Sequence, residues 1–168
     1  MELRIFAYGT LKRGFANHAS YCAGALRICR ARLRGRLFKL SPYVPVLSVP
    51  DKSILVYGTS SPAADIEVQE KFGAFLKAKG TVGSESPDGA DWGNVRGELL
   101  VFADPETRLP LLDGLEEFRP GRPSTYKRAL VPITLSGGFR TSAWTYIAGF
   151  DPACLEEYEG ESWNCRPG

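Results

Sequence analysis

From Cys29 to Leu40 the chain reads CRARLRGRLFKL, with an arginine at every second position over most of its length. Arg30, Arg32, Arg34 and Arg36 would share one face of an extended strand, and Ala31, Leu33, Gly35 and Leu37 the other. A helix would scatter the same residues around its circumference, so the period of two predicts a half-buried strand. Its cations form a solvated outer face. No aromatic side chains interleave with them to make the stacking platform that single-stranded nucleic acid uses. A net charge of only +2 also argues against nucleic acid as a partner.

Short extended runs recur along the chain. Leu3 to Tyr8 predicts a first strand, with Leu3, Ile5 and Ala7 alternating against Arg4 and Phe6. Residues 53–58 and 95–103 predict two more, and ALVPITL and SAWTYIAGF flank a Ser-Gly-Gly turn as a hairpin. Pro42, Pro45 and Pro50 predict an irregular connection or a sheet edge over 41–50. A helix is expected over 61–80, with Ser61 as N-cap, Pro62 opening it and Gly80 ending it. Val68, Phe72, Phe75 and Leu76 would form its buried face. Residues 81–94 predict a long polar loop. Many strands and few helices predict an α+β fold: a small mixed, mostly antiparallel β-barrel or curled sheet with a few flanking helices. The whole of 1–168 is expected to form a single domain.

No apolar run approaches the ~20 residues of a spanning helix. The opening residues contain no apolar stretch followed by a small-residue cleavage site, so a cytoplasmic location is expected. Cys22, Cys29, Cys154 and Cys165 include no C-x-x-C pair, and His18 is the only histidine beside them. This predicts free thiols and no metal site, and gives little support to thiol catalysis.

Two stretches carry chemistry. FAYGTLKRGFANH, residues 6–18, places a tight turn directly after the first strand. Such a turn can aim several backbone N–H groups at one anion, and Gly9, lacking a Cβ, allows both the turn and a close approach of ligand. A plain hairpin corner is the alternative. Lys12 and Arg13 are expected as solvated flank, and Asn17 and His18 as residues that order the loop. DPETRLPLLDGLEEF, residues 104–118, predicts a turn over 105–109 and a short helix opening at Pro110. Leu112 and Leu115 would face inward and Glu116 would follow Leu112 by one turn, on the apolar side. Glu117 would face solvent. A carboxylate on a leucine stripe is costly without partners or a task. Either it pairs with an arginine such as Arg128, or it sits desolvated beside a cleft and moves protons near neutral pH.

Tyr8-Gly9-Thr10-Leu11, Leu112-Asp113-Gly114-Leu115-Glu116 and Tyr126-Lys127-Arg128 together resemble, in order and spacing, the γ-glutamyl cyclotransferase-like superfamily. The closest branch is the γ-glutamylamine cyclotransferase and avirulence-induced-gene type, and Gly160 to Trp163 is similar to its closing segment. The resemblance covers about 2–40 and 95–150. It leaves 51–94 as an insertion that either covers the pocket mouth or decorates the surface. It implies the fold above and a cofactor-free enzyme acting on a small γ-glutamyl compound. The α-amine attacks its own γ-carbonyl, releasing 5-oxoproline and an amine or amino acid, with Glu116 as general acid and base. Tyr8, Gly9, Thr10, Leu11 and Tyr126 would contact substrate and Arg128 would orient an acid. Neither nucleic acid nor membrane is implied as a partner, and the oligomeric state and leaving group stay open. Glutathione is disfavoured, because the glutathione-specific branch continues differently after its Tyr-Gly-Ser-Leu. A non-catalytic module binding a small acidic ligand is the alternative function. A buried Glu116 would repel such a ligand, which favours the enzyme.

Overall fold

The computed structural model describes residues 1–80 and 92–168; most of the expected polar loop lies outside the described residues. The described strands are β1 (Leu3–Ala7), β2 (Arg27–Arg34), β3 (Arg36–Ser41), β4 (Val44–Ser48), β5 (Val56–Tyr57), β6 (Asn94–Phe102), β7 (Tyr126–Leu135), β8 (Arg140–Ala148) and β9 (Glu156–Tyr158). The helices are α1 (His18–Tyr21), α2 (Pro62–Ala78) and α3 (Pro105–Leu115). Strands β2, β6, β1, β8 and β7 follow one another in a sheet that closes where β7 returns to β2, Ala31 opposite Leu135 and Arg32 opposite Thr134. This is the small mixed barrel of an α+β fold. Strand β5 adds to β7, and β4, β3 and β9 form a second sheet.

Alternation along the barrel strands divides the core in two. Phe6, Ala31, Leu33, Leu99, Val131 and Ala143 fill the barrel interior, together with Leu37 and Leu47 of the second sheet and the buried Trp163. Leu3, Ile5, Leu100, Phe102, Leu130 and Trp144 point outward and pack beneath Ile66 of α2 and Leu109 and Leu112 of α3. Both faces of β1 are therefore buried, and Phe6 is an interior residue rather than part of a polar face. The arginines of β2 behave as expected: Arg30 and Arg32 are exposed while Ala31 and Leu33 are buried.

The stretch 29–40 is divided at Gly35 between the barrel and the second sheet. A Cβ there would lie 2.7 Å from the Ser48 carbonyl oxygen, so only glycine fits the crossing. The proline-rich segment forms β4, and its sheet-edge position accommodates Pro45 opposite Lys39.

Ser61 caps α2 by accepting from the Ala64 N–H, Pro62 opens the helix, and Gly80 beyond it takes the left-handed φ of 69°. Its buried face differs from the expected stripe. Asp65, Ile66, Gln69, Gly73 and Leu76 are buried, Val68 and Phe72 only partly, and Phe75 is 52% exposed. The polar members face inward because the barrel uses them. Strands β1 and β8 run parallel and meet only at Ile5 opposite Trp144. Beside that contact the Gln69 side chain accepts from the Arg4 N–H at 2.8 Å and donates to the Glu2 carbonyl at 2.8 Å. The amide thus substitutes for a neighbouring strand. Helix α2 is part of the wall, neither a cover over the pocket nor a surface decoration.

Helix α3 runs unbroken from Pro105 through Pro110, where a turn followed by a separate helix was expected. Pro110 and Glu106 both lie on the exposed side, so water can solvate the Glu106 carbonyl that lacks an N–H partner. The four cysteines are free thiols, and no described helix is long and apolar enough to cross a membrane.

Candidate active site

A cavity of about 180 Å³ opens where the end of β1, strand β4 and the C-terminus of α3 converge. Tyr8, Gly9, Thr10, Leu11, Glu116 and Tyr126, all singled out in the sequence, line it together. Arg128 does not.

The chain turns sharply after β1, with the Lys12 N–H donating to the Gly9 carbonyl at 3.1 Å and the Asn17 N–H to the Thr10 carbonyl at 3.1 Å. Asn17 Nδ2 also donates to Thr10 Oγ1 at 2.9 Å, and His18 Nδ1 lies 2.7 Å from the Leu11 carbonyl oxygen. Among the described residues the N–H groups of Gly9, Thr10 and Leu11 have no protein acceptor. Three free donors on one turn beside a cavity can hold an anion. Gly9 is required by packing: a Cβ would lie 2.6 Å from Pro45 Cγ. Lys12 is not solvated flank. It is buried, and its Nζ donates to the Trp163 carbonyl at 2.6 Å, bolting the turn to the C-terminal segment. Arg13 is exposed and pairs with Glu98.

Glu116 is the C-cap of α3. The Phe118 N–H donates to the Asp113 carbonyl at 2.9 Å and the Glu117 N–H to Gly114 at 3.4 Å, the two bonds of a Schellman ending. Glu117 holds the left-handed position with φ 53°, where glycine is usual, and points into solvent. The same reversal leaves Glu116 facing the cavity. Among the described residues no hydrogen bond or ion pair engages its carboxylate. Burial pushes its pKa from an ordinary 4.5 to about 7. The negative end of the α3 dipole acts in the same direction.

Arg128 does not neutralise it. Its guanidinium is 1% exposed, donates to Asp65 Oδ2 at 2.6 Å and to the Thr59 carbonyl at 2.8 Å, and lies 3.3 Å from Asp113 Oδ1. Asp113 in turn accepts from the Tyr146 hydroxyl at 2.8 Å, and Tyr146 lines the cavity. The arginine thus reaches the pocket wall through Asp113 and Tyr146. Burial raises the Asp113 pKa despite Arg128 beside it. The other two phenols are fixed as well: Tyr8 donates to the Tyr146 carbonyl at 2.7 Å and Tyr126 to the Pro45 carbonyl at 2.8 Å. Sequence reasoning missed Tyr146, Asp65 and the wall formed by Val44 and Pro45. The alternation of SAWTYIAGF does place Tyr146 on the same face as Trp144.

One cavity therefore joins an unpaired carboxyl of raised pKa to a turn with free backbone donors and a phenol-rich wall. That set can bind a small zwitterion and shuttle a proton within it.

No curated protein matches the chain in sequence. Among solved structures, YkqA from Bacillus subtilis superposes with a TM-score of 0.56 at 18% identity, over 97% of this chain and 40% of that one. An AIG2-like protein from Mus musculus superposes with a TM-score of 0.52 at 21% identity, over 97% and 88%. At these identities the likeness is one of fold. The sequence model of the family described as gamma-glutamyl cyclotransferase, AIG2-like, matches residues 5–70 and 75–165, a span that runs through most of 51–94. The chain belongs to that family.

Proposed function

We propose that the protein is a cofactor-free γ-glutamyl cyclotransferase that converts a small γ-glutamyl compound into 5-oxoproline and a free amine or amino acid. The observation that carries this reading is Glu116: a half-buried, unpaired carboxyl with a pKa of about 7, lining the same cavity as the Gly9–Leu11 turn with its free N–H groups. The turn would hold the α-carboxylate of the glutamyl group. Glu116 takes a proton from the α-ammonium. The freed amine attacks the γ-carbonyl carbon, forming the ring C–N bond. The C–N bond to the leaving nitrogen breaks as Glu116 returns its proton there. The second proton of the ring nitrogen passes by way of Glu116 to the departing amine, which leaves as an ammonium. No water is consumed. Because nucleophile and electrophile share one molecule, the protein has only to fold the chain back, and such geometry corresponds to effective molarities of ~10⁵ M or more. A carboxyl poised near pH 7 suits both proton transfers.

The test is 5-oxoproline release from a panel of γ-glutamyl amines and dipeptides, wild type beside Glu116→Gln. The variant should lose about 10²–10⁴ in kcat, the usual contribution of one general acid–base group. Equal turnover by the two proteins would refute the role of Glu116, and no turnover by either on any substrate would refute the reaction.

A further inference from the structure

Lys12 and Arg128 are the buried cations among the described residues, and their surroundings differ. Arg128 has two carboxylates against it, Asp65 at 2.6 Å and Asp113 at 3.3 Å. Lys12 has none among the described residues: its Nζ donates to the Trp163 carbonyl at 2.6 Å and to Ser162 Oγ at 3.3 Å, both uncharged. Glu98, the acid whose charge reaches it, is bonded to the N–H and the guanidinium of Arg13. Burial lowers the Lys12 pKa despite Glu98, and the Arg166 charge acts in the same direction. The Phe15 ring carries both cations, with Lys12 Nζ 4.8 Å and the Arg166 guanidinium 4.2 Å from its centre. A neutral donor could make the same tie to the Trp163 carbonyl at a smaller desolvation cost, so the charge itself needs a reason.

The three residues before Lys12 supply one. Gly9, Thr10 and Leu11 have N–H groups with no protein acceptor among the described residues, and no described lysine or arginine lines the cavity beside them. Three unmet donors and one unmatched ammonium on four consecutive residues are answered by a single anion. We propose that Lys12 supplies the counter-charge for an anionic ligand group held at the Gly9–Leu11 turn, acting through the turn without touching the ligand. The C-terminal segment keeps the ammonium in place. The Trp163 ring fills the barrel interior, the Arg96 N–H donates to the Glu161 carbonyl at 2.7 Å, and the Tyr158 hydroxyl donates to Asn164 Oδ1 at 2.7 Å, so the carbonyl that Lys12 grips is fixed. The proposal rests on the reading of the pocket as a γ-glutamyl site, and names the group that balances the α-carboxylate there. A lysine's reach keeps its ammonium within roughly 10 Å of the N–H groups just before it, and at protein-surface dielectric a unit charge at that range changes the affinity of an anion by about tenfold.

The experiment is calorimetric titration of the wild type, Lys12→Met and Lys12→Gln with 5-oxoproline and with 5-oxoprolinamide, its neutral carboxamide. Methionine keeps the bulk of the side chain without the charge, and glutamine also keeps an N–H donor for the tie. Both variants should bind 5-oxoproline about tenfold more weakly than wild type and the amide within about 2-fold of it, because a missing charge matters only to a charged ligand. Retained amide binding also shows that a variant has folded. Variants that lose acid and amide alike, as a purely structural role would require, would overturn the proposal. So would variants that keep the wild-type affinity for 5-oxoproline, or a wild type that binds acid and amide equally. A glutamine variant that restores 5-oxoproline binding where methionine does not would also overturn it, since the tie and not the charge would then be what counts. Charge-dependent binding without turnover of any γ-glutamyl compound would refute the cyclotransferase reading and leave the role of Lys12 standing. Turnover by the wild type with 5-oxoproline binding indifferent to the Lys12 charge would do the opposite.

Discussion

Replacing Glu116 with glutamine should make the protein more stable at pH 8 and change it little at pH 4. The carboxyl has a pKa of about 7 in the folded chain against an ordinary 4.5, a consequence of burial. Above pH 4.5 the unfolded chain releases this proton while the folded chain retains it, so folding becomes less favourable as pH rises. The loss is complete once pH passes 7 and both states are ionised. A difference of about 2.5 pH units at 1.36 kcal/mol each puts the cost at about 3 kcal/mol, an order-of-magnitude figure. Glutamine is nearly isosteric and has no proton to lose, so the variant escapes this cost. Urea unfolding of both proteins at pH 4, 6 and 8 measures it. The stability difference should grow by about 3 kcal/mol in favour of the variant, most of it between pH 4.5 and 7. Two stability profiles that stay parallel from pH 4 to 8 would show that Glu116 ionises normally, and the argument for a desolvated base would fall. The test needs no substrate, so it stands apart from any assay of turnover.

If Glu116 acts as the base, kcat/KM should rise with pH to half its plateau near pH 7, because only the ionised carboxylate accepts a proton; a flat profile from pH 5 to 8 would contradict this. Arg128→Met should cost about 3–5 kcal/mol in a denaturant titration, since it strands the buried Asp65 and part-buried Asp113 carboxylates, and a change under 1 kcal/mol would mean the pair is dispensable. Gly9→Ala should weaken binding of 5-oxoproline by displacing Pro45, 2.6 Å from the added methyl group, whereas unchanged affinity would show that β4 yields freely. Glu117→Gly should stabilise the chain by up to about 1 kcal/mol by relieving the left-handed conformation, visible as a raised melting temperature with unchanged kcat.

What could be read from the sequence was local. The period of two in β2 and the cap residues of α2 need only their neighbours, and Leu112 places Glu116 because they are one helical turn apart. Lys12 shows the limit. A lysine in a polar turn reads as solvated, and its carbonyl partner belongs to Trp163, 151 positions further on. Asp65 is similar: an acid on a helix face, explained only by Arg128 63 residues away. Pro110 misleads for a different reason, since the penalty of a proline inside a helix depends on whether the abandoned carbonyl meets water. The barrel's closure was equally hidden, because β7 meets β2 only at Ala31 opposite Leu135 and Arg32 opposite Thr134, and so short a pairing leaves no mark of its own in either strand.

Gln69 and Asp65 lie one turn apart on the same side of α2, and each is committed to a different part of the barrel, Gln69 to the backbone of β1 and Asp65 to the Arg128 guanidinium of β7. Two such prongs fix a rod completely: they set its rotation about its own axis and its position along it. A residue inserted or removed between them would swing one prong by about 100° and take it out of its socket, so the segment 66–68 should have no freedom in length.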